Sequence, residues 1–259
     1  MRDRIGKADV LWITLDTLRY DVAVREWENG GTPFLRRLIP EGWEERHTPA
    51  SFTYAAHAAF FAGFLPTPAR PGPHVRPFAL GFAGSETIGP DTAVFEAPDI
   101  PAGLRAAGYH TVCIGGTGFF NPATPLGRVL PGLFDEAHWE PSFSVTSPGS
   151  TAAQVDRGIE VIHAHPRVFL CINVSAIHQP NRMYQPGATV DTCDTHAAAL
   201  RYVDRELQRL FEALSRDTAW VITSDHGTCY GEDGFVGHRI GHPVVWTVPY
   251  AEGLSLSAA

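Results

Sequence analysis

The residues with most chemical promise lie near the end of the chain, in Thr218-Ala-Trp-Val-Ile-Thr-Ser-Asp-His-Gly227. Ala219 to Ile222 reads as a buried strand, and Ser224, Asp225, His226 and Gly227 fall where that strand would leave its sheet. In open α/β sheets ligands bind at this carboxyl edge. An adjacent carboxylate and imidazole offer one hard oxygen and one borderline nitrogen, a pair suited to Zn²⁺ or Mn²⁺. Gly227 lets the backbone turn beside them. A capped strand end with a hydrogen-bonded histidine accounts for these four residues about equally well.

A second acidic residue stands at the exit of a second strand. Val10 to Leu15 is almost wholly apolar, as in a central strand covered on both faces, and it runs into Asp16-Thr17-Leu18-Arg19-Tyr20-Asp21. Alone, Asp16 fits a helix cap; beside Asp225 on one sheet edge it becomes a candidate metal ligand. Thr53 precedes the helix formers Ala55 to Ala62, which Gly63 stops. At a helix N-terminus the orphan N–H groups and the macrodipole favour an anion, a threonine alkoxide included, although a plain threonine cap fits the same position. The apolar run Val168 to Val174 carries Asn173 and leads to His178, and His238 and His242 follow the Asp225 segment. Acidic and histidine side chains from distant segments gathering on one sheet edge are hard to explain as structure alone.

The elements between these residues alternate. Gly31–Gly42 reads as a short helix with Pro33 in its first turn, and Ile100–Gly108 as another leading into the strand Tyr109–Ile114. Gly115 to Gly118 lacks nucleotide-loop spacing and reads as a turn. Thr151–His163 is a helix before the Val168 strand. Thr195–Leu214 is the most regular helix, with the stripe Leu200, Val203, Leu207, Leu210 and Leu214 and with Asp194 or Thr195 as cap. Residues 66–98, rich in Pro and Gly, read as a long loop or excursion. This order predicts an α/β fold, a doubly wound, mostly parallel sheet with helices on both faces, in one domain spanning 1–259.

The chain of 259 residues is long enough for a sizeable core. A net charge of -8, with Lys7 the single lysine, argues against a partner that is nucleic acid. No apolar run reaches the length of a membrane span, so no membrane partner is expected. The scattered cysteines Cys113, Cys171, Cys193 and Cys229 read as reduced thiols, and the polar start is unlike a signal peptide. Together these place the protein in the cytoplasm.

On the segments quoted, the chain resembles the alkaline phosphatase superfamily in its sulfatase-like branch. Val10–Asp21 is similar to the opening strand with its D-x-L-R-x-D ending, and Gly31–Gly42 to the T-P-x-L-x-x-L-x-x-x-G helix. Thr53–Gly63 resembles the nucleophile helix, Leu104–Thr111 the L-x-x-x-G-Y-x-T segment, and Ser224–Glu232 the S-D-H-G-x-x-x-G-E segment. The resemblance implies an alkaline phosphatase-like core in which Asp16, Thr53, Asp225 and His226 hold one divalent metal, Zn²⁺ first and Mn²⁺, Mg²⁺ or Ca²⁺ as alternatives. It also makes Thr53 the nucleophile. Thr53-Tyr-Ala-Ala-His57 is similar to the T-F-P-N-H of nucleotide pyrophosphatase/phosphodiesterases. The step from His226 to His238 is similar to that of bacterial phosphoethanolamine transferases, where the later histidine helps bind substrate or a second metal. His178 sits where such enzymes place another histidine. His178 and His238 are therefore further catalytic candidates and, with His242, candidate ligands of a weaker second metal site.

The departures are as informative. Formylglycine sulfatases need Cys or Ser where this chain has Thr53. Gly115 to Gly118 replaces the family's G-K-x-H, Thr17 stands for the second opening aspartate, and Val174 takes the aspartate position before His178. The implied activity is a metal-dependent phosphoryl-type transferase or hydrolase acting on a small-molecule phosphate or sulfate ester. Its rivals are a sulfuric-ester hydrolase that works without formylglycine and a non-catalytic, metal-stabilised binding partner.

Overall fold

The computed structural model describes residues 2–63, 78–79, 93–94 and 99–256. Most of the Pro- and Gly-rich stretch expected as a loop therefore lies outside the described residues. The strands are β1 (Asp9–Leu15), β2 (Glu44–His47), β3 (Phe78–Ala79), β4 (Ala93–Val94), β5 (His110–Ile114), β6 (Glu136–His138), β7 (Val168–Val174), β8 (Thr218–Thr223), β9 (Cys229–Tyr230), β10 (Val236–Gly237) and β11 (Thr247–Ser255). The α-helices are α1 (Tyr20–Glu28), α2 (Pro33–Leu38), α3 (Thr53–Ala62), α4 (Ile100–Ala106), α5 (Ser150–Ala164), α6 (Cys193–Glu212) and α7 (Pro243–Trp246).

Seven strands form one sheet in the order β2-β11-β8-β1-β7-β5-β6. From β8 to β6 neighbouring strands are parallel, and β11 is antiparallel to both β8 and β2. The parallel centre explains the unbroken apolar runs, since such strands must be apolar on both faces. The period-two alternation of each strand sorts its side chains between two cores. Leu11, Ile13, Leu15, Leu170, Ile172 and Ile222 join α6 residues such as Leu200, Val203 and Leu207 on one face. Val10, Phe169, Cys171 and Cys113 join Phe61 of α3 on the other. Helices thus cover both faces, as in the alkaline phosphatase-like α/β fold.

The same alternation aims the chemistry. Asp16 continues the Val10, Trp12 parity of β1, Asn173 the Phe169, Cys171 parity of β7, and Asp225 the parity opposite Trp220 and Ile222 of β8. All three therefore face the side occupied by α3. A helix starting on that side, as α3 does at Thr53, brings a fourth group to them.

Two features differ from expectation. The cap of α6 is Thr192, not Asp194 or Thr195: its hydroxyl accepts from the Thr195 N–H at 3.3 Å while the Thr195 hydroxyl accepts from the Thr192 N–H at 2.8 Å. Thr195 is thus the answering half of a capping box. The edge strands β2 and β11 escape pattern reading. The side chains of β2 are all exposed and polar, and β11 contains Pro249 and Gly253.

His196, fully buried in α6, joins the helix to the segment leaving β1. Its Nε2 accepts from the Arg19 N–H at 3.3 Å and its Nδ1 pairs with the Tyr230 hydroxyl at 2.9 Å. Burial, and then the Arg19 charge, push its pKa down to about 3. Unfolding returns the ring to an ordinary value near ~6.5, so between these two pH values the unfolded chain binds the extra proton and stability falls as the pH drops. His196→Gln should therefore flatten the loss of stability below pH ~6.5 by up to about 1.4 kcal/mol per pH unit. Urea denaturation of both proteins at neutral pH and near pH 5 reads this difference directly.

Candidate active site at the carboxyl edge

Asp16 and Asp225, both fully buried, leave neighbouring strands side by side. Thr17 fastens the pair: its hydroxyl donates to Asp16 Oδ1 at 2.7 Å and its N–H to Asp225 Oδ1 at 3.0 Å. The backbone of Thr17 takes φ 70°, a left-handed conformation that costs a β-branched residue energy. That strain is what turns the N–H toward Asp225 while the hydroxyl stays on Asp16. Threonine in the place of a second aspartate thus supplies donors rather than a further negative charge.

Asp16 Oδ2 accepts from the Asn173 amide at 2.9 Å and faces the Thr53 hydroxyl at 3.4 Å. Thr53 is the first residue of α3 and only 1% exposed. The N-cap is Phe52, in extended backbone, so the threonine hydroxyl is not spent on capping. It also lies 3.3 Å from His226 Nε2. His226 donates its Nδ1–H to the Gly227 carbonyl at 2.9 Å, which leaves the Nε2 lone pair facing Thr53 and, at 3.5 Å, Asp225 Oδ2. Gly227 is obligatory: a Cβ there would meet the Val244 carbonyl oxygen at 1.9 Å.

His57 sits one turn into α3 and donates Nδ1–H to the Thr53 carbonyl at 2.9 Å, 3.8 Å from Asp225 Oδ2. Its ring packs against Phe60, Phe61 and Phe120, so it forms part of the aromatic wall behind Asp225. His238 stacks near His226, with centroids 4.6 Å apart, and touches His178 at 5.4 Å. His178 bonds the Gln179 carbonyl through Nδ1. His242 stands apart in its bonding: Nδ1 caps α7 by accepting from Val244 N–H at 3.2 Å, and Nε2 pairs with Asp233 at 3.1 Å. Both its nitrogens are engaged, so it offers no lone pair to a metal.

Burial pushes the Asp16 carboxyl upward, yet the His178 and His226 rings and the bonds from Asn173 and Thr17 outweigh it and hold the pKa below the usual value. Asp225, driven up by burial and next by the Asp16 charge, reaches about 7. Burial holds His226 low, and burial followed by its two histidine neighbours pushes His238 down to about 4. Both imidazoles are therefore neutral near pH 7.

Asp16, Asp225 and His226 each offer a ligand atom within 4.8 Å of the others. Buried Asp225 Oδ2 has no hydrogen-bond partner among the described residues. Two adjoining carboxylates with one unpaired oxygen, beside an imidazole nitrogen, fit a divalent cation, since a cation offsets both the like-charge repulsion and the desolvation. Zn²⁺ suits this oxygen and nitrogen set.

Two residues that shape the site lie outside the candidate set read from the sequence. Arg19, 3% exposed, bonds Asp21, Glu232 and the Thr228 carbonyl, clamping the segment after β8 to the exit of β1. Its signal was present in retrospect, because Arg19 and Glu232 lie in two separate motifs. Arg239 reaches the site through tertiary structure alone. Its N–H donates to the Ser51 carbonyl at 2.8 Å, its guanidinium lies 5.7 Å from the Phe52 ring, and its charge acts on His226 and His238.

A family model for sulfatases matches residues 8–250. No curated protein matches the sequence. Among solved structures, the chain is similar to the C-terminal periplasmic domain of phosphoethanolamine transferase EptC from Campylobacter jejuni, at 13% identity and TM-score 0.65 over 96% of this chain and 79% of that one. It is also similar to the soluble domain of lipooligosaccharide phosphoethanolamine transferase A from Neisseria meningitidis, at 15% and 0.66 over 96% and 78%. The C-terminal periplasmic domain of EcEptC from Escherichia coli, in complex with Zn, matches at 14% and 0.62 over 96% and 73%. These periplasmic likenesses overturn the cytoplasmic expectation. Surface composition and unpaired cysteines do not distinguish the two sides of a membrane for a folded domain of this kind. No described helix is long and apolar enough to cross a membrane.

The site predicts metal retention. Purified protein should hold a divalent ion at this site, and Asp225→Asn should lose that ion together with the share of the Zn²⁺-dependent rise in melting temperature that it supplies. At a hundredfold excess over Kd that rise corresponds to about 2.7 kcal/mol. Elemental analysis and calorimetry with and without Zn²⁺ check both parts, and a wild type that takes up no ion contradicts the assignment.

Proposed function

The chain belongs to the sulfatase family, whose members act on phosphate or sulfate esters, and from that premise we propose a metal-dependent phosphoryl transferase or hydrolase with Thr53 as nucleophile. The observation that carries this reading is the Thr53 hydroxyl, buried, free of any capping duty, and within 3.4 Å of Asp16 and 3.3 Å of His226. Asp16, Asp225, His226 and Thr53 would hold the cation. When bound, the cation lowers the pKa of the threonine hydroxyl and offsets charge on the ester.

The chain's own groups supply the rest. Thr53 Oγ1 forms the new bond to phosphorus and the bond from phosphorus to the ester oxygen breaks, leaving a phosphothreonine that water or an acceptor hydroxyl then cleaves. The N-terminus of α3 directs its dipole at the oxygen that develops charge. His178 and His238 stand ring to ring beside His226, where they can hold the non-bridging oxygens or serve the leaving group. Arg239, exposed and with no carboxylate paired to it among the described residues, can hold an anionic oxygen at the mouth of the site. Threonine favours phosphoryl over sulfuryl chemistry here, because the formylglycine route needs Cys or Ser. The named likenesses to phosphoethanolamine transferases, one of them acting on lipooligosaccharide, favour transfer and widen the substrate from a small ester to a lipid-linked one.

Thr53→Ala should lower turnover of a phosphate ester by roughly 10⁴-fold or more, whereas Thr53→Ser should keep part of it. Acid-quenched turnover mixtures should show a phosphoryl adduct on the Thr53 peptide by mass spectrometry. A Thr53→Ala enzyme as fast as wild type contradicts the mechanism. Arg239→Ala should lower kcat/KM by about 10–100-fold, the worth of a charge-assisted hydrogen bond, in steady-state kinetics.

A further inference from the structure

A second cluster lies at the opposite edge of the sheet. His110 opens β5, Glu136 opens β6, and His165 stands in the turn between α5 and β7. Register brings them together: His110 is level with Val168 at the start of β7, and Glu136 lies opposite Val112 of β5. Val112 and Ile114 face the α5 side of the sheet, so His110, with the same parity, faces it too. His165 arrives from the end of α5.

The side chains converge through one kind of atom. His110 Nε2 lies 3.0 Å and His165 Nε2 3.4 Å from the same Glu136 oxygen, Oε2. His138, two residues along β6, places its Nε2 2.6 Å from the other oxygen, Oε1. The His110 hydrogen bond is the chief cause holding Glu136 below the ordinary glutamate range, so the carboxylate is ionised. A single carboxylate needs one such partner, not three imidazoles, and no other side chain or backbone group bonds these rings among the described residues. A tetrahedral Zn²⁺ with bonds of about 2.0–2.1 Å sets its donors about 3.3 Å apart, which the 3.0 and 3.4 Å separations bracket.

We propose that this cluster is a divalent metal site separate from the Thr53 centre, taking Zn²⁺ on His110 Nε2, His165 Nε2 and Glu136 Oε2. Two imidazoles and one carboxylate are a borderline donor set that suits Zn²⁺ better than Mg²⁺ or Ca²⁺. His138 acts as a positioning residue, holding Oε1 so that Oε2 points at the ion. Water fills the open position, since all four side chains are partly exposed, between 20% and 35%. The His110 and His165 rings stack at 3.8 Å with planes 20° apart, so taking the ion between their nitrogens turns one ring out of the stack. His165, in a turn, is the ring free to move. The ion would clip the three-residue edge strand β6 and the α5–β7 turn to β5.

The inference is independent of the phosphoryl-transfer reading, and metal counting separates the two. Chelator-stripped full chain is titrated with Zn²⁺ by calorimetry and its metal counted by mass spectrometry. Asp225→Asn should still bind one equivalent, and His165→Ala in that background should abolish it. In the otherwise wild-type chain, His165→Ala or Glu136→Gln should remove one equivalent and leave phosphatase activity unchanged, with circular dichroism confirming the fold of each. His138→Gln should raise the Kd of this site by about 10–100-fold. Asp225→Asn protein that binds no Zn²⁺, or Zn²⁺ uptake unaltered by both His165→Ala and Glu136→Gln, overturns the assignment.

Discussion

The structure turns on two carboxylates, Asp16 and Asp225, buried side by side at the ends of adjacent strands. Burying one carboxylate is costly, and burying two together is worse, because the Coulomb repulsion acts in a medium of low dielectric. The protein answers with donors: Thr17 serves both carboxylates, Asn173 serves Asp16, and the His226 N–H serves Asp225. Among the described residues, none answers Asp225 Oδ2. A bare oxygen beside a second buried carboxylate fits a cation, and the neighbouring imidazole has its lone pair turned the same way.

Much of the surrounding structure makes sense as support for this arrangement. The left-handed Thr17 spends conformational energy to bring two donors to two acceptors. Gly227 admits the Val244 carbonyl where any side chain would collide. Arg19, held by Asp21 and Glu232, ties the loop carrying His226 to the strand carrying Asp16. His196 in turn holds the Arg19 backbone. A chain of contacts therefore runs from α6 to the carboxyl edge of the sheet, and each link fixes the next.

The polar wall beyond the carboxylates has a different character. His178, His226 and His238 lie ring against ring. Burial, and then the neighbouring His226 and His178 rings, push the His238 pKa down to about 4, and the exposed Arg239 stands beside the wall as a full positive charge. Such a surface suits an anionic ester that enters from solvent and meets its strongest fields only when seated.

The sequence by itself determined the central strands, the main helices and most of the polar residues that gather at one sheet edge. Parallel strands buried on both faces must be written as apolar runs, so β1, β7 and β8 are legible, and the polar residues that end those runs stand out against them. Amphipathic period made α6 equally plain. The edge strands β2 and β11 were not legible, because a strand with one solvated side or with Pro and Gly in it follows no strict alternation. Only tertiary structure decided which roles the polar residues take. Whether Thr53 caps a helix or faces Asp16 depends on where Phe52 leaves the extended region, and His242 differs from His238 only in having Val244 and Asp233 within reach. Arg239 and the pairing of His110 with His165 across Glu136 were invisible for the same reason. Proximity between residues distant in sequence is set by sheet order and register, which no local pattern encodes.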